Sequence, residues 1–296
     1  MISRPFTIVF LLSLALVGYV FIHAPAPLQG ENRSGATFSI YQAMQIINAE
    51  NHNVRSLWTK EIVGAGIKSG LKFMETWRDD DVEAGPLPAL FLRDTARGLE
   101  RSPVRLGLYL GSHYPISPSN KFEGVQLEYF MELLDSGKPQ YFYADDTQRY
   151  TSMFADPASA KPCVVCHNEH LDSPRNNWRL DDIMGATTWS YPSSDVTLDD
   201  FMAMLMALRK SYQGVYAAYI EKTKTFNKKP EIGSRWPRDG YYIPSATVFF
   251  DEVDRLNSSN TLAAILMALR PQSDTTPPGE ASVSGAGMDV GVADPR

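Results

Sequence analysis

Both cysteines of this 296-residue chain lie three apart, and a histidine follows the second directly: Lys161–His170 reads KPCVVCHNEH. Cys-x-x-Cys-His is the attachment signature of a c-type haem. Two intervening residues let one helical turn present the sulfurs of Cys163 and Cys166 to one porphyrin edge, where each thiol adds to a vinyl group. His167, next in sequence, then reaches the iron from one face as the proximal ligand. The expected cofactor is one covalently attached haem c. Two other chemistries compete for the same residues. A zinc site would use Cys163, Cys166 and His170, but no fourth ligand is evident and the three crowd into one turn. A thioredoxin-like Cys-x-x-Cys fits Pro162 but expects a strand before it in a βαβ order, which the surroundings do not offer.

The opposite face of the iron takes a second ligand or water. Met44 is the distal candidate, because it lies on the apolar stripe of a helix and a thioether there raises the potential; its plainer reading is a core methionine. Met184 is apolar and near the motif in sequence. His113 sits in a proline-rich loop and is the one residue to name as a distal acid-base group. His52, between two asparagines, reads as solvated, His170 follows His167 too closely to reach the other face, and His23 belongs to the N-terminal apolar segment. Arg175 and Arg179 flank Trp178 after the motif and are candidates to pair with haem propionates, or are surface arginines. No catalytic set is evident: both thiols are spent on haem, and a lone Ser or His without a spatial partner carries no reaction.

The elements that must position these residues follow from patterning. Phe6–Ile22 is an apolar run preceded by Arg4, read as an uncleaved membrane anchor or, if cut near Ala26, a signal segment. Either places the rest outside the cytoplasm, held at the inner membrane or released to the periplasm, where haem c is attached. Residues 1–36 form this anchor and a linker. Ile40, Met44, Ile47, Val54 and Trp58 recur at helical spacing behind a Ser39–Gln42 capping box, with Asn51 interrupting the stripe. Gly64 and Gly66 are expected to break or bend the helix, with a second stretch running to Trp77. GPLP (Gly85–Pro88) reads as a turn and Ala89–Leu99 as a helix. Val104–Leu110 alternates as a strand, Asn120 and Glu123 cap a helix to Leu134, and Gln140–Tyr143, Arg149–Phe154 and Ala186–Tyr191 are further strands. The order implies an antiparallel sheet flanked by helices over residues 37–195, an α+β fold. Residues 196–270 form a helical C-terminal extension. In it, Leu198, Phe201, Leu205, Leu208, Tyr212, Val215 and Tyr219 are spaced as a coiled-coil seam, either packed on its own domain or used for a homodimer or signalling partner. Two short helices near Thr247–Leu256 and Thr261–Leu269 precede a Pro-, Gly- and Ser-rich tail, 271–296, expected to be disordered. A formal net charge of −6 gives no electrostatic reason to expect nucleic acid as a partner.

Four stretches carry a resemblance: GPLPALFLR (Gly85–Arg93), LYLGSHYPISPSN (Leu108–Asn120), CVVCHNEHLDSPRNNW (Cys163–Trp178) and IMGATTWSYP (Ile183–Pro192). With them the chain resembles the haem-c-binding PAS-like sensor domains of exported bacterial proteins, over about half its length. The resemblance implies a PAS-like antiparallel sheet with the haem against it, and sensing of redox state or a diatomic gas. It departs from many such proteins in carrying no kinase, cyclase or methyl-accepting module. The expected function is therefore sensing through a partner. The alternatives are a single-haem electron carrier and a haem enzyme acting on peroxide or nitrogen oxides.

Overall fold

The computed structural model describes residues 37–268, together with Ser13 and Tyr19. Apart from those two residues, the anchor assigned to Phe6–Ile22 lies outside the described residues, as does the tail 271–296. Among the described residues no helix is long and apolar enough to cross a membrane.

The fold is α+β, built on a four-stranded antiparallel sheet. The chain opens with β1 (Thr37–Ser39) and α1 (Ile40–Leu57), where the Ser39 hydroxyl accepts from the Tyr41 N–H at 3.2 Å. α1 continues through a π-helical stretch, Trp58–Gly64, into α2 (Ala65–Ser69), and ends at Gly70, whose φ of 96° closes the helix in the left-handed region. The expected break at Gly64–Gly66 does not occur, and the expected second helical stretch stops at Ser69, short of Trp77. Trp58, Ile62 and Val63 are all buried across the π stretch. This burial outweighs the low helix propensity of the two glycines. GPLP, expected as a turn, starts with the short strand β3 (Gly85–Pro86), parallel to β2 (Phe73–Met74), and leads into α3 (Pro88–Glu100).

The main sheet follows as β4 (Gly107–Gly111), β5 (Gln140–Ala144), β6 (Arg149–Pro157) and β7 (Ile183–Tyr191), in spatial order β4-β7-β6-β5. Between β4 and β5 lies α4 (Gly124–Ser136). Between β6 and β7, inside the motif, lies α5 (Lys161–Glu169). Strand alternation divides the sheet into two faces. Leu108, Tyr141, Phe154 and Trp189 face the large core shared with α1, while Phe142, Met153 and Ala186 face α4 through Phe122, Phe130 and Leu133. β4 and β7 approach closely at their glycines. A Cβ on Gly185 would lie 2.4 Å from the Gly111 carbonyl oxygen, and one on Gly111 would lie 2.2 Å from the Phe122 ring. That contact explains the glycines of LYLG and IMGA.

β8 (Asp195–Thr197) pairs with β1. It leads into α6 (Leu198–Thr223), whose first turn carries the Thr197–Asp200 capping box that the sequence indicates. The seam residues Phe201, Leu205, Leu208, Tyr212, Val215 and Tyr219 are buried within the chain's own core. Residues 196–268, set apart in the sequence as an extension, thus share one core with the sheet. β9 (Glu231–Gly233) and β10 (Tyr242–Pro244) precede α7 (Ala246–Ala268), one continuous helix where two are expected. Asn257 lies at the expected break but is buried, its side chain accepting from Asn53 at 2.8 Å, so the polar run is held inside the helix. Trp58 stacks on Phe91 at 4.5 Å, and Tyr216 on Phe249 at 4.3 Å, tying α1, α3, α6 and α7 together.

Candidate functional site

The motif is delivered by an excursion between neighbouring strands. β6 ends in an irregularity at Asp156/Pro157, and the excursion's base is closed by Ala158 N–H to Asp182 O at 2.9 Å and Asp181 N–H to Ala158 O at 3.1 Å. Pro162 stands in the first turn of α5, where a missing N–H costs nothing. This accounts for Pro162 without a redox role. One helical turn carries Cys163 and Cys166, and His167 follows. The returning loop is pinned to the helix by Asn168, whose side chain donates to Trp178 O at 3.0 Å and accepts from Trp178 N–H at 2.8 Å. Ala158, Trp178 and Met184 form a small core against which Cys163 and Val164 pack.

Burial pushes both thiols above their ordinary pKa, with negative charge at Asp156 beside Cys163 and at Glu75 beside Cys166 adding to it. Protonated thiols are the opposite of the low-pKa nucleophile a thioredoxin-type motif needs. Among the described residues, no three His, Cys, Asp or Glu side chains are arranged to hold a metal ion, which leaves the zinc reading without a site. Burial likewise lowers the pKa of His167, favouring the neutral imidazole that ligates a metal. Its Nδ1 is buried and has no hydrogen-bond partner. His170 is engaged at both nitrogens, accepting from Asp172 N–H at 3.1 Å and lying 3.5 Å from the Glu75 carboxylate.

The residues present fit a haem. Two buried polar atoms of the motif region, His167 Nδ1 and Trp178 Nε1, have no partner among the described residues, and neither do Arg55 Nε and His113 Nδ1, a costly state unless a further group completes the site. Apolar surface also lies open there: Leu171 is almost fully exposed, and Val165, Leu180 and Met74 are about half exposed.

The other sequence candidates are distributed unevenly. Met184 is part of the small core beneath Cys163. His113 lies against Tyr114 and Phe130, at 4.0 and 5.2 Å between ring centres; burial and the charge of Arg175 lower its pKa. Arg175 lies over the Trp178 ring at 3.9 Å and pairs with Asp182 at 3.6 Å. The Arg179 N–H donates to Asp182 and its side chain is exposed. His52 is exposed on α1. Met44 is fully buried over the middle of the sheet, its sulfur accepting from the Ser152 hydroxyl at 3.1 Å. It is not brought to the motif.

Arg55 is the residue that sequence reasoning missed. Its guanidinium holds both oxygens of Asp156 at 2.9 Å and donates to Thr187 Oγ1 at 3.2 Å, and its charge is felt at the Cys163 thiol. The signal was in the polar positions of α1, Asn48, Asn51 and Arg55, spaced to share one side of the helix. Asn48 accepts from Trp189 Nε1 at 3.0 Å, Asn51 from the Tyr212 hydroxyl at 2.7 Å, and Arg55 is next along it.

Compared with known families, the chain matches over residues 38–192, from β1 through the motif to the end of β7, just over half its length. It belongs to the Tll0287-like family. The matched region of this Tll0287-like protein contains Arg55, Asp156, both cysteines and His167, and all four stretches quoted above lie within it, the fourth ending on its last residue. No curated protein and no solved structure matches the chain.

Proposed function

We propose that this Tll0287-like protein binds one haem c, through thioethers at Cys163 and Cys166 and His167 as the proximal ligand, and serves as a PAS-like sensing module for redox state or a diatomic gas. The observation that carries the reading is Cys-x-x-Cys-His on a single turn of α5, with a half-buried imidazole whose Nδ1 is unpartnered among the described residues, beside uncovered apolar side chains. When bound, the haem supplies a redox couple and a site for small ligands; the chain supplies the thiols, the imidazole and the apolar wall. Attachment through Cys163 and Cys166 would hold the group without relying on a second ligand from the chain. Phe6–Ile22 anchors the protein at the inner membrane with the haem module in the periplasm. Signal leaves toward a partner through α6, whose outer face presents Met202 and Met206, since its inner seam is occupied by the core.

Absorption spectra of the purified holoprotein, oxidised and reduced, with and without CO, test this. A ferrous haem that binds CO supports sensing. A six-coordinate haem indifferent to CO, with fast exchange to a redox partner, replaces sensing by electron transfer. Turnover of peroxide or a nitrogen oxide, lost on changing His113, replaces it by catalysis.

A further inference from the structure

An open groove of about 1230 Å³ runs between α3 and α6. That is more than the roughly 300–1,000 Å³ of a small-molecule pocket. Its floor on α6 is made of small side chains, Ala203, Ala207, Gly214 and Ala218, and runs about 22 Å at the usual helical rise. Its rim is basic, although the whole chain carries a formal net charge of −6. Arg78 and Arg97 share the single carboxylate there, Asp94, at 2.8 and 3.0 Å. Arg101 and Lys210 are exposed on opposite walls and have no ion pair among the described residues. Met206 stands open beside them. An occupant must therefore be long, apolar along one line and acidic on both sides of it.

The chain carries such an element. α4 buries Phe130 and Leu133 against the sheet and turns the opposite face outward. Glu128, Met131, Glu132 and Asp135 are exposed there at helical spacing, and the three carboxylates have no ion pair among the described residues. α4 has 13 residues, about 20 Å, which matches the floor of the groove. Met131 offers an unbranched apolar side chain to the small residues of α6. Glu128 and Glu132 flank it one turn apart, the spacing at which Arg97 and Arg101 follow each other on α3.

We propose that the groove between α3 and α6 receives α4 of a second copy of this chain, with Met131 on its floor and Glu128 and Glu132 against Arg101 and Lys210. The contact is heterologous. Each added copy leaves one groove and one α4 free, so copies extend in a row or close a ring. One helix in one groove is a small interface, so the association is weak and salt-sensitive. The inference names the partner at the outer face of α6; it rests on the sensing reading above for what the contact transmits, not for the contact itself.

Sedimentation velocity of the full chain over a range of concentrations, at low and high salt, tests this. The unaltered protein should grow beyond a dimer as concentration rises and dissociate at high salt. Two charge-reversed variants follow, Arg101→Glu with Lys210→Glu, and Glu128→Lys with Glu132→Lys. Each alone should stay monomeric, because its groove and its α4 then carry the same sign. Mixed in equal amounts they should associate again, since each groove meets a helix of opposite charge. Arg101→Gln and Glu132→Gln should each weaken association about two- to fivefold, the worth of one exposed ion pair, and decide the matter if a reversed variant does not fold. Haem content is measured on the same samples. Self-association of this pattern without covalent haem refutes the haem reading alone, and association equal in oxidised and reduced holoprotein removes the contact from signalling alone. An unaltered protein that stays monomeric, reversed variants that still associate singly, or a mixture that does not recover overturns the proposal.

Discussion

Met44 separates a structural from a ligating role in one experiment. The side chain is fully buried, and its sulfur accepts from the Ser152 hydroxyl at 3.1 Å. Arg55, beside the motif, lies eleven residues further along the same helix, about 16 Å at the usual rise. Met44→Ala removes a buried side chain between helix and sheet, a change that costs about 2–5 kcal/mol. Ser152 is itself fully buried. Losing its partner there adds about 1 kcal/mol, which places the total in the upper half of that range. Met44→Leu keeps the volume and should cost less than about 1.5 kcal/mol. Urea unfolding of the holoprotein reads both. The haem spectrum and midpoint potential of Met44→Leu should match those of the unaltered protein. The reasoning is refuted if Met44→Leu changes the spectrum or potential, or if Met44→Ala unfolds at the same urea concentration as the parent.

Gly185→Ala should lose about 2–3 kcal/mol in urea unfolding, because the new Cβ meets the Gly111 carbonyl at 2.4 Å and both belong to paired strands that cannot yield cheaply. Arg209→Met should cost about 3 kcal/mol or more, since it strips the ion pair from Glu50, whose carboxylate is 2% exposed and keeps only Thr261 at 2.7 Å. Glu50→Gln, which leaves no uncompensated charge inside, should cost less by the same measurement. His113 titrates below its ordinary 6.5, because burial and Arg175 disfavour the imidazolium. The unfolded chain therefore takes up this proton first as pH falls. The stability it contributes is whole above about pH 6.5 and is lost as pH drops below that value toward the folded pKa. His113→Gln should flatten the fall of the urea midpoint between about pH 7.5 and 5.

The strands and most helices were legible because their signals are local. Period-two alternation marks Val104–Leu110, where the strand runs from Gly107 to Gly111, and Thr197–Asp200 caps α6. The failures came where tertiary packing overrode local chemistry. Gly64 and Gly66 do not break the helix because the neighbouring Trp58, Ile62 and Val63 are buried. Asn257 does not end α7 because its side chain is buried and accepts from Asn53. The heptad spacing of α6 reads equally as a dimer seam or a core face, and only the position of α1 and α3 decides that it is buried at home. At the site, both thiols and His167 were named as candidates from spacing alone. Arg55 was not, since its partner Asp156 is 101 residues away and only the sheet brings them together. Met44 shows the same limit: an apolar stripe says that a side chain is inside, not which neighbour it meets.

The most direct test of the central claim is to export the protein in a bacterium with haem-attachment machinery and measure haem that survives acid-acetone extraction, by intact mass and pyridine haemochrome. The account predicts one haem per chain, lost when Cys163 and Cys166 are both changed to serine. A chain that folds, carries no covalent haem and offers two freely reacting thiols would contradict it.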